Sequence, residues 1–373
     1  MVRYFLVAAL VAASAQAQDR TLVSTPFYWF DLAEHLSADV QLGDLDGDGD
    51  LDAVVANGRH WAEPDLAFFN TGDGKLPEGR PLGPDLRSSY TVRLGDLDGD
   101  GDLDAVVVHD YLPPHVLLGD GAGHFAPGPP IETGAGRARG AVLVDLDGDG
   151  ALDLVVARRR ETDVLYLGDG DGGFGPATFF GSDDGASTSV AAGDFDGDGD
   201  VDLTFARRDG QPSVIALNDG AGHVTEHELP GSVADTRRVV TGDVDGDGTL
   251  DIALGLVGEA NVIYSGDGAG GFVRSGSFGA GDSRTYALAA ADLDLDGDLD
   301  FVEGNDEQPN AVYFNTGAGQ AFERVELDDE ASETYGLAVG DMDGDGYPDI
   351  VLANSGTVNE VFLNRPSERQ EPE

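Results

Sequence analysis

Short apolar runs, each bounded by clusters of Asp, Gly and Asn, recur along the whole chain, and no stretch carries apolar residues at helical spacing. One well-formed unit runs Arg237–Gly242, an acidic loop from Asp243 to Asp251, Ile252–Leu256, Asn261–Tyr264, a glycine-rich turn at Gly266–Gly270, and Gly271–Phe278. Four β-prone runs separated by tight turn signals predict a four-stranded antiparallel meander.

The unit repeats. Seven copies of the nonapeptide D-x-D-x-D-G-x-x-D begin at Asp44, Asp96, Asp145, Asp194, Asp243, Asp292 and Asp341; the first gap is 52 residues and the next five are all 49. A period of this length belongs to propeller blades, whereas β-solenoid repeats are shorter. The prediction is an all-β, seven-bladed β-propeller with four-stranded antiparallel blades, forming one domain over residues 18–366 and monomeric. The seventh unit stops after its third run, Glu360–Asn364, and an unassigned β-prone segment, Thr21–Phe30, precedes the first unit. That N-terminal strand is predicted to close the last blade, leaving 367–373 as a disordered tail. Before it, Arg3, the apolar run Tyr4–Ala13 and the small-residue site Ala15-Gln16-Ala17 match a signal peptide over residues 1–17. The run is too short to span a bilayer and no other segment does, so export to the cell surface, the medium or the periplasm is expected.

Alternating aspartates can converge on one hard cation, with glycine at position six allowing the sharp turn, and an all-oxygen shell of this kind suits Ca²⁺. The predicted side-chain ligands are Asp44, Asp46, Asp48 and Asp52; Asp96, Asp98, Asp100 and Asp104; Asp145, Asp147, Asp149 and Asp153; and Asp194, Asp196, Asp198 and Asp202. In the last three loops they are Asp243, Asp245, Asp247 and Asp251; Asp292, Asp294, Asp296 and Asp300; and Asp341, Asp343, Asp345 and Asp349. Backbone carbonyls at position seven, from Asp50, Asp102, Ala151, Asp200, Thr249, Asp298 and Tyr347, would complete up to seven shells. Only the sixth loop departs from the pattern, with Leu295 where the others have glycine. An EF-hand does not fit, because the twelfth position of the first loop is Val55 and both flanks read as strands. Two carboxylates about 4 Å apart repel by roughly 4 kcal/mol at an effective dielectric near 20, so the ions are expected to be structural.

Charge sharpens this picture. The chain carries 71 acidic against 21 basic residues, a formal net charge of −50, and 32 of the acids lie inside the nonapeptides. Such a field excludes general nucleic-acid binding. There are no cysteines, so disulfides contribute nothing. Two G-x-G-x-x-G matches, at Gly168–Gly173 and Gly266–Gly271, lead into strands and read as hairpins. No nucleophile elbow or zinc motif occurs, and His124 and His223 occupy the same surface-turn column.

The acidic loops, the strands that follow them such as Leu51–Asn57, and turns such as Gly119–Phe125 resemble FG-GAP/VCBS repeats over about residues 19–364. These are the repeats of integrin α-subunit propellers and of many secreted bacterial proteins. The resemblance implies a calcium propeller used as a binding, adhesion or scaffold module, with an extracellular glycan or protein as its ligand. Some propellers of this resemblance are polysaccharide lyases, so a carbohydrate-active enzyme stands as the alternative.

In a meander the loops alternate between faces, which puts 12 of the 20 arginines on the face opposite the acidic loops. Six residues before each first aspartate stand Ala38, Tyr90, Arg139, Thr188, Arg237, Tyr286 and Tyr335; thirteen after it stand Asn57, His109, Arg158, Arg207, Leu256, Asn305 and Asn354. Both columns are expected to ring the mouth of the central channel. Tyr90, His109, Arg139, Arg158, Arg207, Arg237, Tyr286 and Tyr335 are the candidate ligand-binding residues for an anionic glycan or acidic ligand, arginine supplying forks for anions and tyrosine flat faces for sugars.

Overall fold

The computed structural model describes residues 20–327 and 331–366; the predicted signal segment and tail fall outside them. Seven antiparallel sheets form in chain order. Blade one consists of Ser37–Gly43, Asp52–Asn57, Leu66–Phe68 and Gly79–Pro81. Blade two runs from Ser89–Gly95 to Phe125–Pro127, three from Ala138–Val144 to Thr178–Phe180, and four from Ser187–Gly193 to Val224–Glu228. Blade five runs from Thr236–Gly242 to Phe272–Phe278 and six from Thr285–Ala291 to Phe322–Glu326.

Blade seven has Thr334–Gly340, Asp349–Asn354 and Asn359–Pro366, and its outer strand is Arg20–Val23, paired from Arg20↔Pro366 to Val23↔Leu363. Trp29–Phe30 rejoins the same edge through Trp29↔Glu360. The segment predicted as one closing strand is thus two short ones. Tyr28 N donating to Thr25 O at 2.8 Å marks the turn that separates them.

First strands of successive blades pack side by side around the ring, blade seven against blade one included. Gly336 is a tight point of that closure, since a Cβ there would lie 2.5 Å from Asp39 Cα. The second strands, Asp52–Asn57 and its six equivalents, are buried at every position because a neighbouring blade covers each face. This explains why their interiors are mostly apolar, with Thr204 and Glu303 as buried polar exceptions. Each pair of neighbouring blades encloses its own apolar cluster, as Val106, Val116, Ala141 and Leu154 do between blades two and three. The core is therefore divided around the ring, and among the described residues no apolar cluster lies in the channel.

One irregularity positions the channel mouth. In every blade the pairing between the first and second strands slips at the same place, between Ser37 and Asp39 in blade one and at its equivalents elsewhere. The skipped residues are Ala38, Tyr90, Arg139, Thr188, Arg237, Tyr286 and Tyr335. A β-bulge re-aims the extra side chain out of the alternation, here toward the axis.

Candidate functional site

Two constellations lie at opposite ends of the ring. At one end, each acidic loop is folded by its first and last aspartates. Asp44 accepts hydrogen bonds from Gly47 N at 2.8 Å and Gly49 N at 3.1 Å. The loop can double back because Gly47 and Gly49 take φ values of 76° and 95°. Asp52 accepts from Leu45 N at 3.0 Å and Asn70 N at 2.8 Å. The same two bonds recur at Asp104, Asp153, Asp202, Asp251, Asp300 and Asp349. The N–H at position seven donates to the position-five carboxylate in every loop.

The carboxylates converge. Oxygens of Asp44, Asp46 and Asp48 lie within 4.8 Å of one another, as do those of Asp96, Asp98 and Asp104, and of Asp145, Asp147 and Asp153. The fourth and fifth loops give the triads Asp194, Asp196, Asp202 and Asp243, Asp245, Asp251. At position three, Asp46 Oδ1, Asp245 Oδ1 and Asp294 Oδ1 are buried and accept no hydrogen bond. A buried acceptor without a donor is costly unless a cation satisfies it. Burial also pushes the ninth carboxyls upward, to about 6 at Asp52 and about 7 at Asp300 and Asp349, against the opposing effect of their backbone hydrogen bonds. Such sites favour either a proton or a metal ion.

Each loop is also fastened to the next blade, through the carbonyl of its second residue. Leu45 O, Leu97 O and Phe195 O accept at 3.0 Å from the backbone of Gly123, Gly172 and Gly270 respectively. Leu146 O, Val244 O, Leu293 O and Met342 O accept from the side-chain amides of Asn218, Asn315, Asn364 and Asn70, at 2.7 to 2.9 Å. All seven loops follow the rule, and the amide of the same second residue binds the ninth aspartate.

Leu295 adopts the glycine-like conformation of its repeat position, with φ 58°, and is 48 % exposed. A left-handed non-glycine residue costs roughly 1–2 kcal/mol. Leu295→Gly should remove that strain with little loss of burial. Its melting temperature in calorimetry is expected to rise by roughly 1–3 °C.

At the opposite end a cavity of about 320 Å³ opens on the axis. All seven bulged residues line it, joined by Arg59, His60, Arg159, Arg208 and Arg238. No acidic side chain is among them. The arginines are held from outside the lining, with Arg139 at 2.9 Å from Asp110, Arg159 at 3.1 Å and Arg208 at 3.2 Å from Asp209, and Arg237 at 3.3 Å from Asp235. Glu333 stands 3.7 Å from Arg59. Five of the six guanidinium groups thus share four pairing carboxylates, and the sixth, that of Arg238, is held by the carbonyls of Tyr286 and Tyr335. Burial, followed by the neighbouring Arg237 charge, pushes Arg208 below its ordinary value. The tyrosine rings are engaged: Arg59, Arg139 and Arg237 stack at 3.5, 4.0 and 4.5 Å from the ring centres of Tyr335, Tyr90 and Tyr286.

The second predicted column does not reach the mouth. His109 is 0 %, Arg158 5 % and Arg207 6 % exposed, because they end second strands that are covered on both faces. Arg158 Nε donates to Thr162 O at 2.6 Å, and Arg207 Nη2 donates to Glu226 at 2.6 Å. The next residue along emerges from the sheet, and Arg159 and Arg208 stand there. Arg238, one of the twelve arginines expected on this face but not among the candidate ligand-binding residues, lies just past the bulge, where a two-residue alternation counted straight through gives the wrong side.

Comparison with known proteins fits this architecture. An FG-GAP-like repeat model matches residues 44–107, 96–156, 145–205, 194–254 and 296–352. The chain belongs to the FG-GAP-like repeat family. Among solved structures, the FG-GAP-like ring is similar to BBS1N crystallised in complex with ARL6DN, with a TM-score of 0.62 at 12 % identity, covering 94 % of this chain and 99 % of that one. It also resembles YCF48 from Cyanidioschyzon merolae, with a TM-score of 0.58 at 13 % identity, covering 92 % and 98 %. A catalytically inactive virginiamycin B lyase from Staphylococcus aureus with quinupristin gives 0.62 at 11 % identity, covering 92 % and 100 %. At these identities the likeness concerns fold alone. No curated protein matches the chain.

Six of the FG-GAP-like blades share one more device. The last N–H of the second strand is clamped by the side chain of Asp65, Asp163, Ser213, Asn261, Asn310 or Asn359. Burial raises Asp65 and Asp163 from 3.8 to about 7. A folded value above the unfolded one means that their contribution is complete below about pH 4 and lost as pH rises through about 7. Asparagine already does this work at Asn310, accepting from Asn305 N and donating to Thr334 Oγ1. Asp65→Asn is therefore expected to stabilise the protein at pH 8 by roughly 1–3 kcal/mol and to flatten its stability between pH 5 and 8, read from denaturant melts at both values.

Proposed function

We propose that this FG-GAP-like propeller is an exported, calcium-dependent binding module that captures anionic glycans in its arginine–tyrosine basin, with calcium in the acidic loops holding the ring together. The observation that carries the reading is a cavity wall of six arginines and no acid in a chain of net charge −50. Guanidinium forks match planar carboxylates and sulfates in two-point geometry, and a positive focus in a negative field draws small anions inward. Calcium is favoured for the loops by their oxygen-only donors and by the orphaned position-three oxygens. Modules of this kind with weak sites work where calcium is about millimolar, which agrees with the export signal read from Arg3 to Ala17. Among the described residues no helix is long and apolar enough to cross a membrane.

Binding of uronate oligosaccharides in calcium, followed by calorimetry, is expected to disappear in an Arg139→Gln, Arg159→Gln, Arg237→Gln variant that keeps its melting temperature. Unchanged binding by that variant would refute the assignment of the basin. For the lyase alternative, Tyr90, His109 and Tyr335 would have to supply the proton acceptor, and they are poorly suited to it. Burial raises Tyr90 and takes Tyr335 to about 12, and it lowers the enclosed His109 to about 3.

A further inference from the structure

The basin has a floor. Arg238 leaves blade five and donates through Nε to Tyr286 O at 3.0 Å and through Nη2 to Tyr335 O at 2.6 Å, carbonyls of blades six and seven. To reach the second blade along, its guanidinium must lie in the channel itself. From the other side, Arg93 of blade two donates through Nε to Ala141 O of blade three and through Nη1 to Asp39 of blade one, both at 2.7 Å. Two guanidinium groups therefore bridge neighbouring blades on opposite sides of the channel beneath the mouth. They narrow the channel below the cavity, whose volume, about 320 Å³, equals roughly ten water volumes. That is room for one sugar unit with its acid group.

The walls discriminate in the same sense. Arg208 and Arg237 line the cavity, with their buried Nε atoms 3.2 and 3.3 Å from Asp209 and Asp235 but without hydrogen-bond geometry, so an oxygen ligand inside the cavity meets guanidinium groups whose Nε atoms these carboxylates hold by charge alone. Asp209, Asp235 and Glu333, which pair with the wall arginines, stand outside the lining. Their side chains are partly exposed, so a polyanion spreading beyond the basin would meet them, whereas a single acidic unit inside the basin is lined by no acid. Guanidinium stacking already covers one face of Tyr90, Tyr286 and Tyr335, so recognition falls to N–H donors more than to ring faces.

We infer that the basin takes the end of an acidic glycan, one terminal uronate unit entering carboxylate first, and does not hold a stretch of polymer across its mouth. This rests on the anionic-glycan reading above. The test is calorimetric titration, in calcium and physiological salt, of galacturonate and glucuronate monosaccharides, of their tetrasaccharides, and of the same tetrasaccharides capped at the non-reducing end by a neutral hexose. Monosaccharide and uncapped tetrasaccharide are expected to bind within about tenfold of each other, and the cap to weaken binding at least about 30-fold, because it keeps the acid group away from the guanidinium groups of the wall. Arg237→Gln should weaken both uncapped ligands by about tenfold or more. Affinity that climbs with chain length and ignores the cap would overturn end-on recognition while leaving the anionic-glycan reading intact. If neither sugar acid binds in any form, both fail together. Should Arg237→Gln not fold, the length and cap series on the unaltered protein still decides.

Discussion

Stripped of divalent ions, the protein is expected to melt roughly 4–14 °C below its value in about 1 mM calcium. With dissociation constants of about 0.1–1 mM, as in extracellular calcium modules, each occupied loop contributes roughly 0.4–1.4 kcal/mol. Seven independent loops then give about 3–10 kcal/mol, which an unfolding entropy of about 0.7 kcal/mol/K for some 350 residues converts into that interval. The pH response should distinguish the two states. Burial raises the ninth carboxyls to between about 6 and about 7 at Asp52, Asp300 and Asp349. In the stripped protein their contribution is therefore complete below about pH 4 and is lost as pH climbs through 6 and 7. Metal binding needs the ionised form, so added calcium should stabilise more at pH 7.5 than at pH 5. Differential scanning calorimetry of metal-stripped protein, with and without added calcium at the two pH values, measures both effects. Superimposable traces at pH 7.5 would rule out calcium as the ion that holds the loops.

The second large effect concerns the closing segment. Removal of residues 1–31 should leave a propeller that is open along the third strand of blade seven, marginally folded and prone to associate. It takes away the Arg20–Val23 ladder, the contacts of Arg20 with Asp345 at 3.0 Å and with the Tyr347 ring at 3.2 Å, and the buried Phe30. Phe30 packs edge-on against Phe68 of blade one, ring centres 5.0 Å apart, so the segment fastens two blades at once. Phe30→Ala alone is expected to cost about 3–5 kcal/mol, a fall of roughly 4–7 °C. The full truncation should exceed this and add dimers or larger species in light scattering, since an unpaired edge recruits another strand. A truncated chain that stays monomeric with an unchanged melting temperature would show that the ring does not depend on this segment.

Much of the architecture is legible in the sequence because its signals are local and repeated. The loop aspartates, the glycines that let the chain turn, and the short apolar runs all lie within one unit of 49 residues, and the copies confirm one another. The pairing of Thr21–Val23 with a strand more than 300 residues away is readable for a different reason: blade seven lacks a strand and the N-terminus has one to spare. The basin is only half legible. Tyr90, Arg139, Arg237, Tyr286 and Tyr335 stand on a bulge that falls at one fixed distance from each loop, so counting finds them. His109, Arg158 and Arg207 are placed one residue short of the exit from a strand whose burial is decided by neighbouring blades. The floor formed by Arg93 and Arg238 rests on hydrogen bonds to other blades, and nothing near either residue in the chain foretells them. The same holds for the raised carboxyl of Asp65, whose burial comes from its surroundings.

The fastening of every loop to its successor, with Asn70 of blade one reaching back to Met342 O of blade seven, makes the order of units cyclic although the polypeptide is linear. Rotating the numbering by one unit would leave each of these links in place. The position of the chain ends is then a matter of genetics more than of mechanics, and new termini cut into an exposed fourth-strand connection, with the old ones joined, should produce a molecule with the same girdle of contacts.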